Sequence, residues 1–540
     1  MSIFVNGLEK EFRNGIRPID LLPIQDKTFF SCKINNKLRD LFYPIEDNNN
    51  IEFLALNDED SIRIYESSLR YVLAMSIKRC FPSLKFSFDY YISRSIACHS
   101  KEKLFNSEDL EKIKKEMSKI IESNYTFVRK TITPEEADEY YSKNGFEDKV
   151  HIYAFRPKKE EVYIYECDNY ANYMYSYMVP STGYLKKYNL LLYKGMIILQ
   201  YPRFEENGEI PKFVEENTYE QTLLSTNDWG KEIGALTVSN INENILKNPK
   251  EFIEKCEQRH TNLIHELGEK ISKRDIKLIA IAGPSSSGKT TFSNKLRIEL
   301  ERRGLYPVKL SMDDYYKDRS NLTKEEEENI DFEDINLLDI ELFNKHIKEL
   351  VDGKEVTLPK FEFVTKKRIV GPTIKLGENS PIIIEGIHAL NKKLTSSISK
   401  ENKFEIYIGP HIQINLDDYN PISVTHLRLI RRIVRDNRCR GADVSQTLEM
   451  WESVRKGEFK WIYDNQEGVD FVYNSVLNYE FCVMKKYALP LLNAVPETSN
   501  EYNLAKTLIK YLKYFVDIDD KYVPEDSLIR EFIGGSCFKD

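Results

Sequence analysis

The chain has 540 residues, 41% hydrophobic and 30% charged, with 22 Gly and 20 Pro; this is an ordinary globular composition for three to four domains and excludes disordered and collagenous classes. Its 78 Lys+Arg against 86 Asp+Glu give a net charge of −8, which excludes a wholesale nucleic-acid coat, so nucleic acid is not an expected partner and any phosphate-handling surface must be local. No apolar run reaches the roughly 18 residues of a membrane span, and the opening residues lack a basic region followed by a long apolar core, so neither a membrane nor a secretory leader is expected.

Residues 1–60 hold short β-type runs (SIFVNG, FFSCKIN, IEFLAL) between polar turns, the pattern of one small β-rich module. That module counts 7 Lys+Arg and 11 Asp+Glu, a net of −4. A helical pattern follows at about 62–80, with Ile64, Leu69, Val72, Leu73 and Met75 apolar. A second helix is expected near 107–123, opened by Ser107 as a cap. Tyr-rich β-like runs fill 151–205. The stretch 243–272 reads as one amphipathic connecting helix, on which His260 and His265 have packing or surface roles because a spacing of five does not face two ligands at one metal. The eight cysteines, at 32, 80, 98, 167, 256, 439, 482 and 537, contain no CxxC pair. They read as reduced thiols in a cytoplasmic protein.

From 276 the texture changes to short apolar strands between helices: 277–283, 381–386 and 404–409. Such runs predict a parallel sheet with crossover helices. Directly after the first comes Gly283-Pro284-Ser285-Ser286-Ser287-Gly288-Lys289-Thr290, followed by Thr291 and a helix that ends at Gly304. This fits G-x-x-x-x-G-K-[ST] in its strand–loop–helix setting. Glycines let the backbone wrap phosphate oxygens, and the helix N-terminus adds partial positive charge. Lys289 is placed to reach the β- and γ-phosphates of a nucleotide and Thr290 to ligate Mg²⁺.

Neither an N-K-x-D base reader nor an ABC-type signature follows, which disfavours GTPases and ABC-type ATPases. The next segment is Ser311-Met312-Asp313-Asp314-Tyr315-Tyr316, where a second strand of a kinase sheet would end. A carboxylate there can accept a proton from an attacking hydroxyl, although a solvated Asp-Asp turn would read the same. Glu385 ends an otherwise apolar strand and suits a Mg²⁺ or water ligand, or a helix cap. The 428–440 stretch carries Arg428, Arg431, Arg432, Arg435, Arg438 and Arg440. Arg428, Arg432 and Arg435 fall at i, i+4 and i+7, so one helix face presents guanidinium groups together. That face reads as a phosphoryl-transfer lid rather than a solvated surface.

The segments GPSSSGKTTF, SMDDYYKDR, LPKFEFVTKKR, PIIIEGIHAL and LRLIRRIVRDNRCRG resemble, in order and spacing, uridine kinases of the uridine kinase/phosphoribulokinase family. The resemblance implies an α/β P-loop kinase domain over 276–540 and ATP-dependent phosphorylation of a nucleoside 5′-hydroxyl, uridine or cytidine. It implies Asp313 as catalytic base, with Thr290, Asp313 and Glu385 as the Mg²⁺ environment. Arg432, Arg435 and Arg440 correspond to lid arginines; Tyr316, Phe332, Glu333 and Phe361 fall on the substrate side. Glu333 stands where the family has Asp, with Asp331 as a neighbouring alternative. Lys366 stands where the family has its base-reading His, and a Lys is a donor only.

Residues 1–60 resemble a TGS domain, a β-grasp-like fold. Residues 61–235 resemble the α+β editing domain of threonyl-tRNA synthetase, at RYVLAMSIKRCFP and VPSTGYLKKYNL, and 236–275 is the helical connector. The editing chemistry is not expected, because Ser67, Tyr71 and Met178 occupy the positions of its metal-type residues. WESVRKGEFKWIYDNQEGVDFVYNS and SLIREFIGG extend the resemblance to a long nucleoside-kinase architecture. A kinase of another small hydroxylated metabolite, and an RNA-binding regulator using the synthetase-like half, are the alternatives. A homodimer stays open.

Overall fold

The computed structural model describes residues 2–13, 15–23, 26–150, 152–155, 162–318, 334–362, 365–411, 413–462 and 467–538. The sequence-derived substrate residues Phe332 and Glu333, with Asp331, lie outside the described residues.

The first module is a five-stranded mixed sheet. Its strands Ser2–Val5 and Asn50–Leu54 pair in parallel, Phe4 opposite Asn50, and Ile3, Cys32, Leu41 and Ile51 form its small core.

The helix Glu59–Cys80 follows. The Asp58 side chain accepts the Ser61 N–H at 3.1 Å, and Glu59 and Asp60 complement the dipole at its start. Leu69, Tyr71, Val72 and Leu73 are fully buried on successive faces, as in a helix enclosed by its own domain. Around it lie an antiparallel sheet of Asn189–Tyr193, Met196–Gln200, Ser95–His99 and Ser87–Ile92, and a smaller one of Tyr170–Asn172, Val162–Cys167 and Val128–Ile132.

The connector differs from the single helix expected over 243–272. It is two helices, Val238–Lys247 and Pro249–Ser272. Asn248 leaves the helical region, and its side chain accepts the Glu251 N–H at 3.3 Å while Pro249 opens the second helix. Proline suits that first position because its missing N–H would have no partner there. His260 is buried with its ring 3.2 Å from the Val476 carbonyl, and His265 pairs with Glu299 at 2.8 Å.

The C-terminal part has a P-loop kinase fold. Five parallel strands run Val308–Ser311, Ile382–Gly386, Leu278–Ala282, Lys403–Gly409 and Phe471–Asn474 across the sheet, order 2-3-1-4-5 by chain position. The central strand is buried throughout. Helices Lys289–Arg302 and Ile340–Val351 and the arginine-rich Val424–Arg440 cover its faces.

The two halves share one apolar cluster that includes both Ile64 and Ile533. A hairpin after the fourth strand, Asn415–Pro421, reaches into the N-terminal half: the Asp418 carbonyl accepts the Phe88 N–H at 2.8 Å and the Tyr419 carbonyl accepts from Arg70 at 2.8 Å. Ser67 is buried, Tyr71 donates its hydroxyl proton to the backbone of Tyr165 or Tyr170 at 2.9 and 2.8 Å, and Met178 packs in the same core.

Candidate active site

The phosphate loop sits at the C-terminal end of the central strand. Gly283 is required by close approach: a Cβ there would lie 2.0 Å from the Ile408 carbonyl oxygen of the neighbouring strand. Gly288 has φ +92° and would drive a Cβ to 2.5 Å from Leu528. Ser286, between them, holds the left-handed region at φ +60°. Left-handed residues of this kind occur in loops that cradle anions with successive N–H groups. Lys289 folds back on the loop, its Nζ donating to the Gly283 and Pro284 carbonyls at 2.9 Å each. Burial pushes its amine down to about 8, with Glu385 and Glu531 pulling the other way.

Asp313 lies in the short turn Met312–Tyr315 that ends the second strand. The neighbouring strand brings Glu385 alongside, since Ser311 pairs in register with Glu385. Asp313 reaches solvent in the cleft, yet the protein around it, then the charges of Asp314 and Glu385, raises its carboxyl above the usual range; Lys289 and Arg440 oppose this. Glu385 bonds Lys309 at 2.8 Å through one oxygen, and its buried Oε2 has no hydrogen-bond partner among the described residues. Thr290, Asp313 and Glu385 form an all-oxygen donor set of the kind Mg²⁺ takes, one or two carboxylates with water and phosphate completing the shell. The unsatisfied Glu385 oxygen fits that use. Among the described residues no group of three or more His, Cys, Asp or Glu side chains forms a separate metal site.

The arginine helix is largely internal at its N-terminal end. Arg428 and Arg431 are internal: Arg431 is fully buried and forks onto Glu480 at 2.7 and 2.9 Å, and Arg428 pairs with buried Glu458. Their remaining donors hold the back of the phosphate loop, Arg428 Nε to the Ser285 carbonyl at 3.1 Å and Arg431 Nη1 to that of Ser286 at 3.3 Å. Arg432 donates to the Ser285 hydroxyl at 3.0 Å. Arg435 leans on Asp436 at 2.9 Å, and Arg440 remains well exposed, 3.6 Å from Asp436. The physical reason is packing: helical spacing defines a face, but the elements that cover it come from elsewhere in the chain.

On the substrate side, Phe361 is buried in the strand Val356–Glu362, 5.6 Å from the ring of Tyr316, and its N–H donates to Asp314 at 3.1 Å. Lys366 occupies the turn into the antiparallel partner Lys367–Ile374, with φ +58°.

Some residues of this site carried no usable signal in the sequence. The Glu531 carboxylate, from the C-terminal segment, is buried and accepts the Thr291 N–H at 3.0 Å in the first turn of the loop helix. Burial raises its pKa, while the Thr291 bonds and Lys289 lower it. Lys309, Glu458 and Glu480 also pair with groups 30 or more positions away, Glu385, Arg428 and Arg431.

Residues 278–477 match the model of the phosphoribulokinase/uridine kinase family. The chain carries a domain of that family at its C-terminal end. The N-terminal region matches threonine–tRNA ligases: ligase 1 of Bacillus subtilis (strain 168) is 32% identical over 197 residues, 36% of this chain and 31% of that enzyme. The chain thus spans about 31% of the length of that curated relative. Among solved structures, a possible uridine kinase from Bacillus stearothermophilus aligns at 21% identity and TM-score 0.25, covering 40% of this chain and 100% of that one. D-glycerate 3-kinase from Cryptococcus neoformans var. grubii aligns at 15% identity and TM-score 0.20, covering 44% and 78%. Among the described residues, no helix is long and apolar enough to cross a membrane.

Proposed function

We propose that this protein is a Mg²⁺- and ATP-dependent nucleoside kinase of the cytosol, transferring the γ-phosphoryl group of ATP to the 5′-hydroxyl of a nucleoside, uridine and cytidine first. The observation that carries the reading is the placement of Asp313 and Glu385 on adjacent strand ends beside the Lys289 loop. A triphosphate-binding loop faced by two carboxylates, one of raised pKa, suits removal of a proton from an attacking hydroxyl.

In this reading the loop amides and Lys289 hold the triphosphate. Thr290, Asp313 and Glu385 would hold Mg²⁺, which when bound neutralises charge on the phosphates. Asp313 takes the hydroxyl proton. Lys289 exchanges its two loop carbonyls for phosphate oxygens, a swap that keeps its ammonium bonded throughout. Arg435 and Arg440, at the free end of the arginine helix, are the cations available to the transferring group, while Arg428 and Arg431 keep the loop rigid from behind. Tyr316 and Phe361 offer an aromatic wall to the base. The N-terminal half serves as scaffold in this reading: Ser67, Tyr71 and Met178 stand at the metal-type positions, and Tyr71 and Met178 are engaged in packing.

Lys366 favours one second reading, a kinase of another small hydroxylated metabolite, because an ammonium cannot reproduce a neutral imidazole's donor–acceptor pattern. A coupled ADP-release assay over nucleosides and sugars tests both. Turnover with uridine or cytidine is expected; robust sugar turnover without any nucleoside turnover would reverse the order.

A further inference from the structure

A cavity of about 820 Å³ lies on the seam between the N-terminal half and the kinase domain. Of the phosphate loop only Pro284 reaches it, and Lys289, Asp313 and Glu385 do not. One wall is the Glu59–Cys80 helix, with Arg63, Glu66, Ser67 and Arg70. The opposite wall comes from Gly409–His411, the first turn of Val424–Arg440 and the helix Trp451–Trp461. Its volume is within the roughly 300–1,000 Å³ usual for small-molecule sites.

Three features of the lining define what would fit. The first is flat aromatic surface: Tyr175 and Tyr511 stack at 4.0 Å and 10°, and Tyr91, Trp451 and Phe459 form further walls. The second is a pair of neutral polar groups. His411 and His426 are buried, and His411 Nε2 and His426 Nδ1 have no hydrogen-bond partner among the described residues. Burial pushes both imidazoles down to about 3, so they stay uncharged and can read a polar ring edge as donor or acceptor. The third is charge: ten Lys and Arg side chains line the cavity against seven Asp and Glu, the reverse of the balance over the whole chain. On the helix wall, Arg63 pairs with Asp60, and Arg70 with Glu66 and the Tyr419 carbonyl, yet each keeps one buried donor, Arg63 Nη1 and Arg70 Nε, with no hydrogen bond among the described residues.

Stacking surface, neutral readers and a cationic surplus together match a heterocycle carrying an anionic group. A purely apolar ligand would leave the unpartnered nitrogens of His411 and His426 and the spare donors of Arg63 and Arg70 unsatisfied. We propose that the seam cavity is a second ligand site that binds a mononucleotide, its base against the aromatic walls and within reach of His411 and His426, its phosphate on Arg63 and Arg70. The site touches the catalytic loop through Pro284 and through Arg428, which lines the cavity and holds the Ser285 carbonyl.

The test is equilibrium dialysis of the full chain with AMP and with UMP, and with adenosine, uridine and inorganic phosphate as partial probes. Expected is binding of at least one monophosphate that survives Lys289→Ala and is weakened at least tenfold by Arg63→Gln and by Thr425→Trp. The second variant fills the cavity from the half-exposed first turn of the arginine helix, and an unchanged melting curve for it separates lost binding from lost folding. The parent nucleosides and phosphate should bind this site at least tenfold more weakly. Loss of all binding in Lys289→Ala, surviving binding indifferent to both seam variants, phosphate alone binding as tightly as a monophosphate, or no binding of either monophosphate would each overturn the proposal. None of these outcomes depends on the chain being a nucleoside kinase.

Discussion

Replacing Arg431 by methionine tests the finding that the arginine helix braces the phosphate loop from behind. Arg431 is fully buried, with Nε and Nη2 on the two oxygens of Glu480 at 2.7 and 2.9 Å, Nη2 also on the Ser475 carbonyl at 2.8 Å, and Nη1 on that of Ser286 at 3.3 Å. Its guanidinium lies 5.2 Å from the Phe532 ring. Without it, Glu480 is a buried carboxylate that keeps the Leu477 N–H at 3.0 Å and has lost its counter-charge. Breaking a buried pair from one side costs about 3–5 kcal/mol. At about 2–4 °C per kcal/mol for a domain of this size, the melting temperature should fall by roughly 6–20 °C. Removing both charges, Arg431→Met with Glu480→Leu, should recover most of that loss, because the penalty lies in the stranded charge. The loop brace stays missing in both variants. Each should therefore bind ATP about tenfold more weakly, the equivalent of about 1.4 kcal/mol. Scanning calorimetry and titration calorimetry with ATP read the two effects separately. A single variant that melts within about 2 °C of the wild type and binds ATP normally would refute the brace.

ATP affinity should decline as pH rises through about 8, because Lys289 is charged only below its lowered pKa; Lys289→Ala should bind weakly at all pH values, and a flat wild-type profile would count against the assignment. Glu531→Ala should tighten ATP binding about tenfold (about 1.4 kcal/mol), since the carboxylate competes for the Thr291 N–H; weaker binding in titration calorimetry would contradict that competition. Asp418 is raised above the usual carboxylate range by burial and then by Asp148, Asp89 and Asp417. The folded chain holds a proton there that the unfolded chain gives up, so the stability tied to it is present below about pH 4 and lost as pH rises toward the elevated pKa. Asp418→Asn should therefore raise the melting temperature more at pH 8 than at pH 5, and an equal gain at both would rule the explanation out.

The kinase half was legible where the physics is local. Buried parallel strands read as unbroken apolar runs, so 277–283 and 381–386 stood out, and the phosphate loop follows from glycines that adjacent backbone and Leu528 demand. The break at Asn248-Pro249 was also legible, as an N-cap followed by proline, but the amphipathic period running through it masked the signal. What could not be read is what covers a face. Helical spacing gathered Arg428, Arg432 and Arg435, yet Glu458 and Glu480, which make the helix internal, lie tens of residues away. Glu531 meets Thr291 across 240 positions. The insertion of the Asn415–Pro421 hairpin beneath the Glu59–Cys80 helix is a tertiary fact with no local pattern, and it brings Asn420 and Pro421 to the seam cavity.

The most direct test of phosphoryl transfer to a nucleoside 5′-hydroxyl is label transfer from γ-³²P-ATP to uridine and to 5′-deoxyuridine, with the wild type and Asp313→Asn. The account predicts labelled uridine monophosphate from the wild type, none from 5′-deoxyuridine, and essentially none from Asp313→Asn despite near-normal ATP binding. Labelling of 5′-deoxyuridine, or near-normal transfer by Asp313→Asn, would contradict it.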